Sequence, residues 1–581
     1  MSVNITINGR EYTVDKNLTV LEAAKKASID IPTLCFLKGV NEISSCRICL
    51  VEIEGTRNLQ ASCSLKVREG MKIKTNSLRV RNALKTNLEL IIANHNVDCL
   101  NCSRNKNCEL QDLSERMGIK NLKIMGEKRK GIINENSPAI TRDSTKCILC
   151  GRCVSACKNK VGVGALGFKN RGFKTEVSTS FDIDLHKTNC ISCGQCIVSC
   201  PVGALKEKDE IEKVWHALGD KGKHVVVQTA PAIRAALGEI FDLEIGEGTT
   251  GRMVAALKML GFDKVFDTNF AADLTIMEEA HELIGRFKNS GVFPMITSCS
   301  PGWINYVEKN YPEIIPNLST CKSPHQMFGA ILKTYYAEAM NIDPNDIFVV
   351  SVMPCVAKKD ESKREHLQTF GIMDVDAVIT TRELGQMIKS SGINFKELKD
   401  ESFDNPLGEY SGSGVIFGST GGVMEAALRT AKDVLTGEEH VDIDYHDLRG
   451  DETVKEGVLK LGDVEIKVAV VHGIKNVKPL IKEIMSGESS YHFIEVMACP
   501  GGCVTGGGQP IKKAKVQEIF DIRKARAMVL YNEDLKMQNR KSHKNTQIQK
   551  LYKEFLGYPN SHKSHELLHT SYRKQKSDTM D

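Results

Sequence analysis

Eight cysteines between Cys147 and Cys200 repeat one spacing, C-x2-C-x2-C-x3-C. The first run is Cys147, Cys150, Cys153 and Cys157; the second is Cys190, Cys193, Cys196 and Cys200. Two such runs in tandem do not arise by chance, and four thiolates are the ligand set of a 4Fe–4S cubane. A chain carrying this segment has to fold around iron and sulfide as well as around an apolar core. The remaining twelve of the 20 cysteines lie on both sides of it. No basic-then-apolar leader opens the sequence, and no apolar run reaches about 18 residues. The expected location is therefore the cytoplasm, with no membrane partner. Thiols stay reduced there, so this many cysteines read as metal ligands rather than disulfides. A net charge of +5 is too small to argue for nucleic acid, and 581 residues provide for several domains.

Residues 1–79 open on a hairpin. Val3, Ile5 and Ile7 alternate, Asn8-Gly9 makes the turn, and Tyr12 and Val14 resume the alternation. Thr19 and Glu22 form a capping box before a helix. Cys35, Cys46, Cys49 and Cys63 follow, a close pair with two outlying thiols. The segment resembles the 2Fe–2S ferredoxin module that begins hydrogenases and respiratory NADH dehydrogenases, which implies a β-grasp ferredoxin-like domain. A four-cysteine zinc site is the alternative. Residues 80–126 carry His95, Cys99, Cys102 and Cys108. The set is either a zinc knuckle or, between two iron–sulfur modules, a 4Fe–4S cluster with one histidine ligand. Residues 127–209 resemble the two-cluster bacterial ferredoxins, in which the fourth cysteine of each run serves the other cluster. That resemblance implies one cubane on Cys147, Cys150, Cys153 and Cys200, and a second on Cys190, Cys193, Cys196 and Cys157.

Residues 210–581 change character. Buried strands at His224–Val227, Phe348–Val352 and Val468–Val471 alternate with helices, which argues for a large α/β domain. The GSTGG stretch at 418–422 lacks the order and the lysine of a phosphate cradle. The polar, basic last forty residues, with His562, His565 and His569, read as a surface-wrapping tail, a metal site being the alternative. Near the end stand Cys499 and Cys503 in EVMACPGGCVTGGGQP at 495–510, where the glycines let a backbone approach a bulky inorganic group.

That stretch, TSCSPGW at 297–303 and MPCVAKKDE at 353–361 together resemble the signature of iron–iron (FeFe) hydrogenases, and the upstream modules extend the likeness to nearly the whole chain. It is similar to the monomeric clostridial type with accessory cluster domains and a C-terminal, small-subunit-like tail. The resemblance implies reversible reduction of protons to H2, with electrons from ferredoxin or flavodoxin. It implies one 2Fe–2S cluster, three accessory 4Fe–4S clusters, and an H-cluster installed by maturation proteins: a cubane joined to a di-iron unit carrying CO, cyanide and azadithiolate. By position, Cys355, Cys499 and Cys503 ligate the cubane, and Cys503 bridges to the di-iron unit. Lys358 bonds a cyanide, Met353 and Met497 pack on the di-iron unit, and Pro231 and Phe417 wall the pocket. Protons run through Cys299, Glu279, Ser319 and Glu282 to Arg286. On spacing alone, Glu282 and Arg286 are an exposed i,i+4 ion pair.

The sequence departs from the family at Ala232, where some relatives have serine, and at His325, where many have glutamine. It also departs at Ser300, where relatives read TSCCPGW and the second cysteine is a cubane ligand. Fifteen cysteines serve the accessory clusters. Of the five left, Cys321 is expected to supply the missing thiolate, with Ser300 as the rival and an ordinary buried thiol near the site as the remaining alternative. Other readings are an NADH-dehydrogenase-like electron-transfer subunit, an iron–sulfur assembly protein, a hydrogen sensor, and a hydrogenase subunit of an NAD(P)H-linked complex. The first lacks the TSC, MPC and ACPGGC set.

Overall fold

The computed structural model describes residues 1–124, 126–450, 452–461 and 464–575. Among them no helix is long and apolar enough to cross a membrane. The chain is a mixed α/β, multidomain protein. At the N-terminus a five-stranded sheet runs in the order Arg10–Asp15, Ser2–Ile7, Met71–Lys74, Leu50–Ile53, Gln60–Ala61. Its first two strands form the Asn8-Gly9 hairpin, with φ of +50° and +84° at the turn. Those positive values explain why asparagine and glycine stand there. Thr19 and Glu22 cap the helix Val20–Lys26 reciprocally.

A core from Leu34 and Ile48 through Leu88 and Leu110 to Ile140 and Ile197 joins the cysteine-rich segments to one another. It extends to Val356 and Ile511 of the last domain. The cluster segments are thus seated on the α/β domain by shared apolar burial.

That domain holds two four-stranded sheets. One runs Lys264–Asp267, His224–Thr229, Ile347–Met353, Ala377–Thr380, all parallel. The other runs Met295–Ile296, Phe493–Met497, Val464–His472, Val454–Leu461. Its first three strands are parallel, and an antiparallel hairpin closes it. Open parallel sheets put their ligand crevices outside the carboxyl ends of the strands. Here Pro231 follows His224–Thr229, TSCSPGW follows Met295–Ile296, Cys355 follows Ile347–Met353, and Cys499 follows Phe493–Met497. Four strand ends therefore deliver the three motifs and Pro231 to one place.

Gly421, at φ +90°, starts the helix Gly422–Thr436 after GSTGG. The buried Glu495 carboxyl accepts from the Gly421 and Met424 N–H groups, both at 2.7 Å. The protein's own carboxylate occupies the place a phosphate would take. The C-terminal segment is more than a surface tail. Its helices Thr546–Leu551 and His562–Leu568 bury Ile548, Leu551, Leu567 and Leu568 in the main core.

Candidate active site and cluster sites

One cavity gathers Cys147, Cys150, Cys153 and Cys200; the next gathers Cys157, Cys190, Cys193 and Cys196. Each run thus sends its fourth cysteine to the other cavity. Gly151 at φ +78° and Gly194 at φ +70° are the N-caps of the short helices that carry Cys153 and Cys196, and the fourth cysteines, Cys157 and Cys200, come at or just past the ends of those helices. Burial pushes these thiols up, most strongly at Cys153, Cys193 and Cys196. Buried thiols held this way accept a cation that discharges them.

In the first domain the thiols approach in pairs. Cys35 pairs with Cys46 and Cys49 with Cys63, and in each pair one thiol is pulled down by the shared hydrogen bond while the other is pushed up. His95 is buried, its Nδ1 has no hydrogen-bond partner, and burial holds its pKa down. An unpartnered, neutral imidazole is what a metal ligand requires. Cys102 N–H donates to Cys99 O at 3.2 Å, and Cys108 caps the helix Glu109–Arg116.

The cavity at the strand ends is lined by Cys355, Cys499 and Cys503, with Cys299, Ser300 and Lys358 beside them. Pro231, Met353, Phe417 and Met497 form apolar wall, and His325 also reaches it. Burial pushes the Cys503 thiol up to about 12 and Cys499 higher still. The Gly-rich loop does approach closely, but largely to other backbone. A Cβ on Gly502 would meet Thr420 N at 2.7 Å, one on Gly506 Pro354 O at 2.2 Å, and one on Gly507 Cys193 O at 2.3 Å. The glycines therefore lock the two-thiol loop against the MPC loop and the second ferredoxin run. Cys193 lines both its own cluster cavity and this one.

Lys358 Nζ donates to Cys299 O at 3.3 Å and to Glu361 Oε2 at 2.7 Å, leaving one of three N–H donors for the cavity. Burial alone would raise Glu361, but Lys358 and His325 hold it down at about 2. His325 Nε2 lies 3.0 Å from the same oxygen. The unusual histidine thus positions the carboxylate that positions the lysine. Ala232 lies behind the wall, where its carbonyl accepts from Gln509 Nε2 at 2.9 Å. Residue reasoning missed Gln195, whose Nε2 stands 3.7 Å from Cys499 Sγ and donates to Thr505 O at 3.0 Å. It also passed over Glu361, although that residue closes the MPCVAKKDE motif one helical turn after Lys358.

The structure does not bring Cys321 to this cavity. Its backbone pairs with His569 of the C-terminal segment, and its thiol points to Glu282 Oε2 at 3.9 Å and His569 Nδ1 at 4.0 Å. Ser300 is on the cavity wall instead, its Oγ 3.3 Å from Ala498 N. The cysteine count misled because it required every thiol to face a cluster or a proton.

The helix Thr268–Lys288 carries Glu279, Glu282 and Arg286 away from Cys299. Glu279 is fully buried; its carboxyl oxygens make no hydrogen bond of good geometry, but the Ser319 hydroxyl and the Ser298 N–H lie near enough to favour its ionised form and partly offset the burial. Burial, then Glu282, push its pKa to about 8. Ser319 Oγ donates to Glu282 Oε2 at 2.9 Å, and Arg286 Nη2 meets Glu282 Oε1 at 2.7 Å. The Glu282–Arg286 pair exists, but both side chains are only 12% exposed, so it is not the exposed pair that spacing alone suggests.

The raised Glu279 pKa has a sign. Between about 4.5 and 8 the folded state holds a proton that the unfolded chain has lost, so stability falls as pH rises through that window. Glu279→Gln removes this cost, which amounts to a few kcal/mol above pH 8. Anaerobic thermal unfolding is expected to show a larger gain in melting temperature at pH 9 than at pH 6. An equal gain at both would contradict the shift.

The comparisons agree with this geometry. Residues 223–507 match the C-terminal domain of the iron only hydrogenase large subunit, and 520–575 the iron hydrogenase small subunit. Residues 1–77 match a 2Fe-2S iron-sulfur cluster binding domain. Residues 85–123 match the NADH-ubiquinone oxidoreductase-G iron-sulfur binding region, and 146–204 a 4Fe-4S dicluster domain. The chain is 48% identical to the NADP-reducing hydrogenase subunit HndD of Solidesulfovibrio fructosivorans over 99% of both chains. It is 46% identical to iron hydrogenase 1 of Clostridium pasteurianum over 98% of this chain and 100% of that one. A solved FeFe-hydrogenase from Chlamydomonas reinhardtii, 41% identical, superimposes with a TM-score of 0.57 over 63% of this chain and 99% of its own. With three motifs at one cavity and cluster domains leading to it, the chain belongs to the iron-only (FeFe) hydrogenases, oxidoreductases acting on H2.

Proposed function

We propose that the protein reduces protons to H2, reversibly, at an H-cluster held by Cys355, Cys499 and Cys503, with Ser300 on the fourth side. The observation that carries this is the convergence of those three thiols on one apolar-walled cavity that also receives the Lys358 ammonium. The residues fit the group. Soft thiolates suit iron–sulfur, a compact cation suits a buried anionic ligand, and thioethers pack without competing for it. When bound, the H-cluster supplies the redox-active iron at which protons and electrons meet. Lys358 would hold the anionic ligand, Met353 and Met497 would fill the space around it, and Phe417 and Pro231 would keep water out.

Cys35, Cys46, Cys49 and Cys63 would hold a 2Fe–2S cluster, His95 with Cys99, Cys102 and Cys108 a 4Fe–4S cluster, and the two ferredoxin-like runs two cubanes, which together would supply a path for electrons. Cys193, which lines both its own cavity and the active-site cavity, would stand at the last junction. The units are residues 1–79, 80–126, 127–209 and 210–581. Protons pass from the Glu282–Arg286 pair through Ser319 and Glu279 to Cys299. Glu279, neutral near pH 7, can give and take a proton at that pH. Ferredoxin or flavodoxin is the electron partner, maturation proteins install the di-iron unit, and the site of action is the cytoplasm. A second reading, a hydrogenase subunit of an NADP-linked complex, is favoured by the full-length likeness to the Solidesulfovibrio protein. Copurification of a flavin- or pyridine-nucleotide-binding partner would decide for it.

One infrared spectrum of the matured protein tests the active site: CO and cyanide stretches are expected, and their absence after full maturation would overturn it. Iron analysis tests the wire. About 20 iron atoms per chain are expected, two in the 2Fe–2S site, four in each of four cubanes and two in the di-iron unit. Fewer than about 12, or stoichiometric zinc, would reassign the accessory modules.

A further inference from the structure

Cys321 is the one cysteine of the twenty outside all these groups. It is fully buried, yet its neighbours are not those of an idle core thiol. Glu282 Oε2, Cys321 Sγ and His569 Nδ1 all lie within 4.8 Å of one another. The sulfur stands 3.9 Å from the carboxylate oxygen and 4.0 Å from the imidazole nitrogen. Around a tetrahedral zinc ion such donor pairs are roughly 3.5 Å apart, given metal–ligand lengths of about 2.0–2.3 Å. For the two sulfur pairs, closing the gap takes a few tenths of an ångström of side-chain adjustment at each donor.

The histidine is oriented for the role. Its Nε2 lies 3.0 Å from Glu278 Oε2. Glu278 already accepts from the Tyr552 hydroxyl and, at 2.8 Å, from Asn560 N–H, so it acts as an acceptor toward His569 too. In the tautomer with Nε2 donating to Glu278, Nδ1 presents its lone pair toward Cys321 and Thr320 Oγ1; the Asn560 amide nitrogen, oriented to donate to Glu278, stands 3.2 Å from Nε2 and competes for that nitrogen. A carboxylate behind the far nitrogen is the usual support of a metal-bound histidine. Thr320 Oγ1, 2.8 Å from Nδ1 and 3.4 Å from Glu282 Oε2, is the nearest oxygen for a fourth position. Charge favours a cation, since Glu278 and Glu282 face the site from one helix against the guanidinium of Arg286. Arg286 engages the other carboxylate oxygen, Oε1, while Oε2 accepts from Ser319 Oγ at 2.9 Å and Thr320 N–H at 3.1 Å and faces the thiol with its remaining lone pair.

We propose that Glu282, Cys321 and His569 form a binding site for a thiophilic divalent cation of the zinc class, and that zinc bound there closes the proton route by tying up the Glu282 carboxylate. The closing effect rests on the proton route proposed above; the site itself does not.

The test is anaerobic zinc titration of the matured holoenzyme, read by zinc-edge X-ray absorption and by H2 evolution. Zinc is expected to bind at one equivalent with a single sulfur at about 2.3 Å and nitrogen or oxygen in the other positions. Cys321→Ala and, separately, His569→Gln are expected to keep H2 evolution without zinc and to weaken zinc binding more than tenfold, and Cys321→Ala to lose the sulfur scatterer. A zinc site with four sulfurs would place the ion in a damaged cluster and overturn the proposal. So would binding that is unchanged in both variants, or no binding at all. Zinc bound with one sulfur but turnover unslowed would keep the site and contradict the route through Glu282.

Discussion

Cys299→Ser is expected to lower hydrogen turnover by roughly 10²-fold or more while every cluster still assembles. The cause is the position of the thiol. Cys299 lines the active-site cavity and shares its electrostatic surroundings with Glu279, so it stands between the cavity and the buried carboxyl. A free thiol has a reference pKa of about 8.5, within reach of a proton relay, whereas a serine hydroxyl holds its proton far too firmly. Burial pushes the Cys299 thiol up, and Glu279 adds to this once it ionises, which keeps the thiol protonated as a donor. Its side chain is dispensable for Lys358, which bonds the Cys299 carbonyl rather than the sulfur. The lysine contact and cavity wall therefore survive the substitution. Iron content and the CO and cyanide bands are the control, and unchanged turnover with unchanged bands would remove Cys299 from the path. Glu282→Gln should act likewise, since an amide offers no ionisable proton to pass from Ser319 toward Arg286.

The cysteine spacings show how much the sequence carries. C-x2-C-x2-C-x3-C leaves little choice of ligand geometry, and the cavities group those eight thiols as the ferredoxin resemblance implies. The hairpin at Asn8-Gly9 and the cap at Thr19 were equally legible, because each is fixed within four residues. The parallel strands were legible as buried runs, and their order was not. Nothing local says that Met295–Ile296 pairs with Phe493–Met497, nearly two hundred residues on. That pairing puts Cys299 beside Cys503.

Cys321 failed for the same reason. Its side-chain direction is set by a bridge to His569, 248 positions later, and by the way the last helices bury Leu567 and Leu568. A count of cysteines contains neither fact. His325 and Glu361 were half legible. The motif contains Glu361, but the triangle of lysine, carboxylate and histidine depends on bringing the helix Pro324–Ile331 to the MPC loop.

Gly507→Ala is expected to cut hydrogen evolution driven by reduced ferredoxin about 10²-fold. The reason is a contact between two backbones rather than any reacting group. An added Cβ would stand 2.3 Å from Cys193 O and 2.7 Å from Gly194 Cα, well inside ordinary contact. Neither neighbour can step aside cheaply. Gly194 is at φ +70° and is itself packed on Val356, while Gly507 lies between Gly506 and Gly508, which sit against Pro354 O. Something has to shift by on the order of 1 Å, and it is either the loop that carries Cys193 or the loop that carries Cys503. A misplacement of that size costs about 10²-fold where reacting parts have to meet in a fixed geometry. Here those parts are Cys503 and the groups around the proposed active-site cavity, since electron transfer alone would slow only a few-fold for such a shift. Gly219→Ala, at a helix end with open space around it, is the matched control and should leave the rate unchanged. Iron analysis of both variants separates a displaced loop from a lost cluster. If Gly507→Ala evolves hydrogen as fast as Gly219→Ala at equal iron content, the contact with Cys193 does not hold the Cys503 loop in its working position.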